Sequence, residues 1–332
     1  MAMPKAAARE TGEATMADHT GIEWTDATWN PIVGCSVVSP GCTNCYAMPM
    51  ARRIEAMQPG SHYAGTTKVV NGKAVWTGKV ALAPDHILTQ PLRWRRPRKI
   101  FVNSMGDLFH EDVPDAWLDR VFAVMNASPW HTYQVLTKRP DRMRAYLCDE
   151  ATNDRVADAQ VALGLGVHVN NPSRHIWLGT SVENQKTAND RRRDLAALAA
   201  DRWKTFASYE PALGPVDWSG WEFLSWLISG GESGSRWRPS HPDWHRATLN
   251  FCGEHRIPYF FKQWGSWAPR RAAALEDLFD TRKTLIVRHD GGTTSGLMAY
   301  DETAWVMDRV GKRTAGRLLD GIEHNGMPEV QP

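Results

Sequence analysis

The chain of 332 residues contains no stretch that approaches the roughly 18 consecutive apolar residues of a membrane span. Its first residues also lack the apolar core that signal peptides carry. The formal net charge is only +2, so the composition does not indicate a protein that is basic over its whole surface. These absences predict a cytoplasmic protein with no membrane-spanning segment.

Cysteine is scarce, and its distribution is uneven. The chain has five cysteines, and three of them lie between positions 35 and 45. An odd number with a local cluster does not suit a disulfide framework. A reducing compartment and a metal site explain the pattern better.

Short apolar runs rich in β-branched and aromatic residues recur along the chain, and each is followed by a turn and an amphipathic stretch. The runs are residues 99–104, 132–137, 175–181, 205–210, 226–231 and 259–263. Helical patterns lie between them, as at 114–127, 184–200 and 242–255. Strand and helix alternation predicts a parallel sheet with right-handed crossovers. With one more strand near the N-terminus, we expect an α/β fold, a partial (β/α) barrel of about six to seven parallel strands. A doubly wound open sheet is the alternative.

The rest of the chain is predicted as follows. Residues 1–18 have no periodicity and are expected to form a disordered leader, with a single α/β domain over 19–332. Insertions near 60–83 and 272–299 contain Asn71-Gly72 and Gly291-Gly292, which are typical of β-hairpins. The C-terminal tail, 303–322, is predicted to be helical.

The ends of the predicted strands are polar. In a barrel, the carboxyl ends of parallel strands meet on one rim, where catalytic groups lie. The polar side chains at these ends include Asn103, Ser104, Asp107, Lys138, Ser181, Glu183, Glu210, Glu232 and Lys262. We therefore expect three carboxylates and two lysines to share one cavity. The alternative is that they are helix caps and loop salt bridges.

Cys35, Cys42 and Cys45 have the spacing C-x6-C-x2-C. Three neighbouring thiolates suit a soft or borderline metal. A structural zinc would need a fourth ligand, for which His19 or His62 are candidates. Redox cysteines are a further alternative. A 4Fe-4S cluster held by three thiolates would leave one iron open to chelate S-adenosylmethionine (SAM), which we take as the leading interpretation.

Residues 21–46, GIEWTDATWNPIVGCSVVSPGCTNCY, closely resemble the N-terminal signature of the phage-associated three-cysteine-motif proteins, a family of radical-SAM-like proteins. The resemblance extends from about residue 20 to 328. It continues through MGDLFH at 105–110, LTKRP at 136–140, GTSVEN at 179–184, EPALGP at 210–215, ISGGESG at 228–234 and FFKQWG at 260–265. It implies a partial barrel with a 4Fe-4S cluster at its mouth.

By this resemblance, the three cysteines hold the cluster and the strand ends hold SAM. The implied SAM-binding residues are Tyr46, Asn103, Ser104, Asp107, Ser181, Glu183 and Glu210. A reductant such as flavodoxin or ferredoxin is implied as a partner. The first cysteine gap departs from the C-x3-C-x2-C spacing that is common among radical SAM proteins.

The leading hypothesis is therefore a radical SAM enzyme of unknown substrate. Lys138, Glu210, Glu232 and Lys262 are its candidate catalytic residues, and Arg139 is expected to face the substrate with them. Cations at the rim would suit a nucleic acid or nucleotide substrate, and some of the sixteen Trp residues could stack bases. The first alternative is a phage-associated nucleic-acid-binding protein stabilised by zinc or an Fe-S cluster, without catalysis. The second is a hydrolase that uses Glu210 and Glu232 as an acid/base pair.

Overall fold

The computed structural model describes residues 20–232, 237–270, 284–295 and 303–329. The leader predicted for residues 1–18 lies outside these residues. So do residues 272–283 and 296–299 of the second predicted insertion.

The secondary structure alternates between strands and helices. The strands are β1 (Ala27–Trp29), β2 (Ile32–Val33), β3 (Thr67–Val70), β4 (Lys73–Trp76), β5 (Ala81–Leu82), β6 (Lys99–Val102), β7 (Thr132–Thr137), β8 (Ile176–Ser181), β9 (Lys204–Tyr209), β10 (Trp226–Ser229), β11 (Tyr259–Phe261), β12 (Trp267–Arg270), β13 (Thr284–Val287), β14 (Thr293–Thr294) and β15 (Trp305–Arg309). The α-helices are α1 (Ala47–Met57), α2 (Asp85–Leu88), α3 (Asp115–Asn126), α4 (Pro140–Leu147), α5 (Thr152–Ala162), α6 (Gln185–Ala200), α7 (Pro242–Glu254) and α8 (Lys312–Ala315). None of the helices in the described residues combines the length and the apolar character needed to span a bilayer.

The central element is a seven-stranded sheet with the order β1-β6-β7-β8-β9-β10-β11. All neighbouring pairs are parallel. The order follows the chain, whereas a doubly wound sheet would reverse direction at a switch point. Within the described residues β1 and β11 are not paired, so the barrel is open at one side. The predicted fold class, a partial (β/α) barrel, is confirmed, and β1 is its N-terminal strand.

The strands are apolar because both faces of the sheet are covered. Every residue of β8 and of β10 is buried, as expected for a parallel sheet between two apolar layers. The outer face packs against the helices. On α3, for example, Leu118, Val121 and Phe122 are fully buried, at the spacing that a core-facing helix requires.

The inner face of the sheet carries a separate cluster of large side chains. Its buried members are Trp24, Phe101, Trp177, Phe206, Trp226, Ile228 and Phe260. Trp226 packs edge-on against Trp24 and Trp177, with ring centroids 5.8 and 5.9 Å apart. Side chains therefore fill one half of the barrel interior, and the space that remains lies at the carboxyl ends of the strands.

The insertion at 60–83 contains an antiparallel hairpin. Strands β3 and β4 pair around Asn71 and Gly72, which have φ angles of 48° and 72°. A two-residue turn of this kind needs positive φ at both central positions, which Asn-Gly readily adopts. Strand β5 of the same insertion pairs with β2, close to the cysteine segment.

The C-terminal part of the chain forms a second sheet, with the order β12-β15-β13-β14. The hairpin around Gly291-Gly292 joins β13 to β14. The prediction of a helix over 303–322 was wrong, because this segment contains strand β15 and the four-residue helix α8. Val306 and Met307 are buried between two partner strands, and Gly311 and Gly316 adopt positive φ on either side of α8. Pairing in the sheet and the two glycines outweigh the helical pattern.

Candidate functional site

A cavity of about 340 Å³ lies at the carboxyl ends of the parallel strands. All the residues predicted to hold the cluster or SAM or to act in catalysis line it except Glu183, and Arg139, which was expected to face the substrate, does not line it. The predicted residues that line it are Cys35, Cys42, Cys45, Tyr46, Asn103, Ser104, Asp107, Lys138, Ser181, Glu210, Glu232 and Lys262. Trp24 and Phe101 of the inner aromatic cluster also line it. The polar strand ends therefore converge on one cavity, as the sequence predicted, above an apolar floor.

The three clustered cysteines face this cavity and form no disulfide. They lie on a loop tightened by the 3-10 turn Pro40–Cys42 and by a hydrogen bond of 3.2 Å from the Cys45 amide to the Cys42 carbonyl. Burial raises the pKa of the Cys35 thiol to about 12, with a further increase from Asp107, while Arg139 lowers it. Burial also raises the pKa of the Cys45 thiol. Without a metal the protonated form of both thiols is favoured, and a metal that binds them would have to displace these protons.

The described residues do not place the three cysteines as ligands of a single metal ion. In the part of the chain that the structure describes, no three His, Cys, Asp or Glu side chains are arranged to hold a metal ion. His62 does not line the cavity, and His19 lies outside the described residues. A zinc ion would need four ligand atoms at the corners of one tetrahedron, at about 2.3 Å for sulfur.

Two glutamates at strand ends anchor the cysteine loop. Ser39 Oγ donates to Glu183 Oε1 at 2.8 Å, and Asn44 Nδ2 donates to Glu232 Oε2 at 3.0 Å. A Cβ atom on Gly41 would lie 2.7 Å from Glu183 Oε1, so this close approach requires glycine. Ser39 and Gly41 lie in the longer first gap of the cysteine motif, and Asn44 lies in the second gap.

Glu183 lies beneath the loop, and its side chain is fully buried. It pairs with Lys138 Nζ and, at 3.0 Å, with Arg191 Nη1. Burial alone would raise the pKa of Glu183, but the two cations outweigh it and hold that pKa at about 2. Glu183 is therefore a buried anion that positions the loop and Lys138, and it does not reach the cavity.

Glu210 and Glu232 line the cavity, but each is engaged by a cation. Lys262 Nζ donates to both oxygens of Glu210 at 2.9 and 3.0 Å. Arg238 donates to Glu232 from its backbone amide at 2.8 Å and from Nε at 3.0 Å. Each carboxylate is therefore committed to balancing a cation, an arrangement that does not favour the acid/base pair that a hydrolase would require.

Asp107 and Arg139 connect two strand ends to the first cysteine. Asp107 accepts hydrogen bonds from Thr137 Oγ1 at 2.6 Å and from Arg139 Nη1 at 3.0 Å. The same Nη1 atom lies 3.8 Å from Cys35 Sγ, and Arg139 Nη2 donates to Ser36 Oγ at 2.6 Å. Arg139 therefore contacts the cysteine loop and does not face a substrate as its position after a strand had indicated.

Asn103 has two unusual features. It is a non-glycine residue with a φ of 65°, and it is only 3% exposed. Its Oδ1 accepts a long hydrogen bond of 3.4 Å from the Ile32 amide, whereas its Nδ2 is buried and has no partner among the described residues. Strained backbone and an unsatisfied donor both cost free energy, and both concentrate at functional sites. Asn103 thus offers a donor at the cavity wall.

Sequence reasoning missed several residues that shape the site. Arg191 and Arg238 balance the buried glutamates, and Ser36, Ser39 and Asn44 hold the cysteine loop. Position alone indicated only one of them: Arg191 lies on the helix that follows Glu183, two turns further along. Arg238 lies six residues after Glu232 with no pattern that marks it, and the contacts of Ser36, Ser39 and Asn44 join distant parts of the chain.

Two solved structures of spore photoproduct lyase are similar to this chain at low identity. A structure of spore photoproduct lyase complexed with dinucleoside spore photoproduct is similar at 12% identity, with a TM-score of 0.37. The alignment covers 66% of this chain and spans 59% of that chain. A mutant of spore photoproduct lyase with bound AdoMet and dinucleoside spore photoproduct is similar at 10% identity, with a TM-score of 0.39, over 86% of this chain and 69% of that one.

No curated protein sequence matches the chain. The family described as "Protein of unknown function (DUF5131)" matches residues 19–328. This match includes the cysteine loop, every strand of the parallel sheet and the C-terminal sheet. The chain therefore belongs to the DUF5131 family.

Proposed function

We propose that the protein is a radical SAM enzyme that holds a 4Fe-4S cluster on Cys35, Cys42 and Cys45. The observation that carries the proposal is the position of these three unpaired thiols on one loop, facing the cavity at the carboxyl ends of a partial barrel. The resemblance of residues 21–46 to the three-cysteine-motif proteins, a phage-associated family, supports it.

The residues present fit such a cofactor. A four-iron cluster is larger than one ion, so its thiol ligands stand around it and need not meet at a point. Cys35, Cys42 and Cys45 would hold three of its irons and leave the fourth for SAM, to which Asn103, whose amide has no partner among the described residues, could donate. When bound, the cluster supplies the electron that cleaves a carbon–sulfur bond of SAM to give a 5′-deoxyadenosyl radical.

The surrounding residues then have separate roles. Glu183 and Glu232 hold the cysteine loop through Ser39 and Asn44. Trp24 and Phe101 exclude water from the floor of the cavity, being 2% and 7% exposed. Tyr46 and Ser181 line the wall where SAM would lie, and Tyr46 is fixed by donating from its hydroxyl to the Ser104 carbonyl at 3.2 Å. A reductant such as flavodoxin or ferredoxin supplies the electron, in a reducing cytoplasm.

The test is anaerobic reconstitution of the full chain with iron and sulfide, followed by dithionite and SAM. We expect about four irons per chain and the formation of 5′-deoxyadenosine, detected by chromatography. Uptake of one zinc per chain, with no iron and no 5′-deoxyadenosine, would overturn the proposal and favour a metal-stabilised binding protein.

Asn103→Gly is predicted to weaken SAM binding about tenfold, because it removes one donor worth about 1 to 1.5 kcal/mol. Glycine tolerates the positive φ at this position, so the backbone is not strained further. Equilibrium dialysis of labelled SAM against the reconstituted protein measures the change, and iron content serves as the control. Unchanged affinity at full iron content would show that Asn103 does not contact SAM.

A further inference from the structure

A second groove, of about 380 Å³, adjoins the cavity at the open side of the barrel. Glu23, which precedes β1, and Gln263, which follows β11, lie on its two sides. Lys262 and Lys312 line both the groove and the cavity, so the two spaces border the same two side chains.

The groove is rich in cations. Lys262, Lys312, Arg313 and Arg317 line it, and Glu23 is the one carboxylate among its lining residues. Glu23 is engaged by Lys312, at 3.2 Å. Within the described residues, the exposed Arg313 forms no ion pair and no hydrogen bond.

The Arg317 guanidinium is held in place, but not all of its hydrogen-bond donors have partners among the described residues. Its guanidinium lies 4.9 Å from the centroid of the Phe260 ring, and Nη2 donates to Asn325 Oδ1 at 2.5 Å. Its Nε is buried and has no partner among the described residues. Glu323 approaches Nη1 only to 3.9 Å, and the Glu323 side chain is half exposed. The side chain as a whole is 26% exposed, and a positioned guanidinium of this kind suits an incoming oxyanion.

The two lysines at the strand ends of the cavity are each paired with a carboxylate. Lys138 is paired with Glu183, and Lys262 with Glu210. Both lysines that were expected to attract an anionic substrate are therefore offset by carboxylates. In the adjoining groove Lys262 and Lys312 are likewise paired, with Glu210 and Glu23. The positive charge that no carboxylate of the described residues offsets at close range is therefore that of Arg313 and Arg317.

We propose that this groove binds a phosphate of the substrate, so that the substrate of the adjoining cavity is a nucleotide or a nucleic acid strand. This inference rests on the proposed function of the cavity. Arg313 and Arg317 hold the phosphate, and the ligand passes between Lys262 and Lys312. Its base then enters a cavity that Trp24, Tyr46 and Trp76 line, where aromatic faces can stack against it.

The test measures binding of a labelled single-stranded 12-nucleotide DNA by fluorescence anisotropy, using the full chain as purified, without SAM or reductant. Arg313→Gln removes an exposed charge with no structural contact. We expect it to weaken binding about tenfold at low salt and to reduce the slope of log affinity against log salt by about one. Arg95→Gln is the matched control. Arg95 is also exposed, but it precedes β6, at the opposite end of the sheet from the cavity.

Competition distinguishes the two sources of the phosphate. If millimolar adenosine monophosphate displaces the DNA from wild-type protein and Arg313→Gln weakens both ligands, the groove accepts a nucleotide. If the monophosphate does not compete and Arg313→Gln still weakens the DNA, the groove accepts a strand. Equal affinity of wild-type and Arg313→Gln protein, or an equal loss in Arg95→Gln, would overturn the proposal. Because no cluster is needed, this failure is separate from a failure to cleave SAM.

Discussion

Replacing Cys42 by alanine is expected to lower the formation of 5′-deoxyadenosine at least about 100-fold. Substitutions one shell away from a metal already cost about 10- to 100-fold in affinity or activity, so the loss of a ligand should cost more. Cys42 is the middle cysteine of the motif and the buried one of the three, whereas Cys35 and Cys45 are half-buried. Iron and sulfide content after anaerobic reconstitution, together with product formation, measure the effect.

Cys148→Ala is the matched control for this experiment. Cys148 is an exposed cysteine whose thiol donates to Asp201 Oδ2 at 3.6 Å, and it does not line the cavity. Its replacement should leave iron content and product formation unchanged. If Cys42→Ala kept both iron and activity, the cluster would have to lie on other ligands.

Glu183→Gln is expected to lower the free energy of unfolding by about 3 to 5 kcal/mol, because breaking a buried pair leaves uncompensated charge behind. The residues left unpaired are Lys138 and Arg191, whose side chains are 20% and 8% exposed. Because Gln can still accept the hydrogen bond from Ser39, the change in the free energy of unfolding comes chiefly from the lost negative charge. Urea denaturation at neutral pH measures it.

The control for the buried pair is Asp190→Asn on helix α6. Asp190 pairs with Lys186 at the surface, where both side chains are more than half exposed. A pair of this kind contributes less than about 1 kcal/mol. If Glu183→Gln and Asp190→Asn lowered the free energy of unfolding equally, the buried ion pairs of Glu183 would contribute no more than a surface pair.

The contribution of Glu183 to stability is also expected to depend on pH. Its folded-state pKa of about 2 is below the ordinary value of 4.5. The ionised form is therefore favoured in the folded state, and its stabilising effect is present in full above about pH 5. It is lost progressively as the pH falls from 4.5 toward 2. The difference in unfolding free energy between wild type and Glu183→Gln should thus be constant at neutral pH and shrink in acid, whereas a difference independent of pH would contradict the lowered pKa.

The amino-acid sequence by itself determined the order of elements and the place of the site. Apolar runs of strand length alternated with helical patterns, and each run carried polar residues at its carboxyl end, as at Asn103 and Lys138. Because parallel strands in chain order bring these ends to one rim, local patterns were enough to predict the cavity. The three cysteines and the Asn71-Gly72 turn are equally local features.

Only the tertiary structure decided how the charges are shared. Ser39 and Glu183 are 144 positions apart in the chain, and Asn44 and Glu232 are 188 apart. No periodicity links such residues, so the sequence could not show that Glu183 is buried or that Lys138 and Lys262 are neutralised. The prediction of a helix over 303–322 was wrong for the same reason. Val306 and Met307 are held by pairing with strands β12 and β13, which lie elsewhere in the chain, and not by contacts with residues next to them in sequence. Local chemistry selects the elements, whereas burial and long-range pairing decide which charges remain available to a ligand.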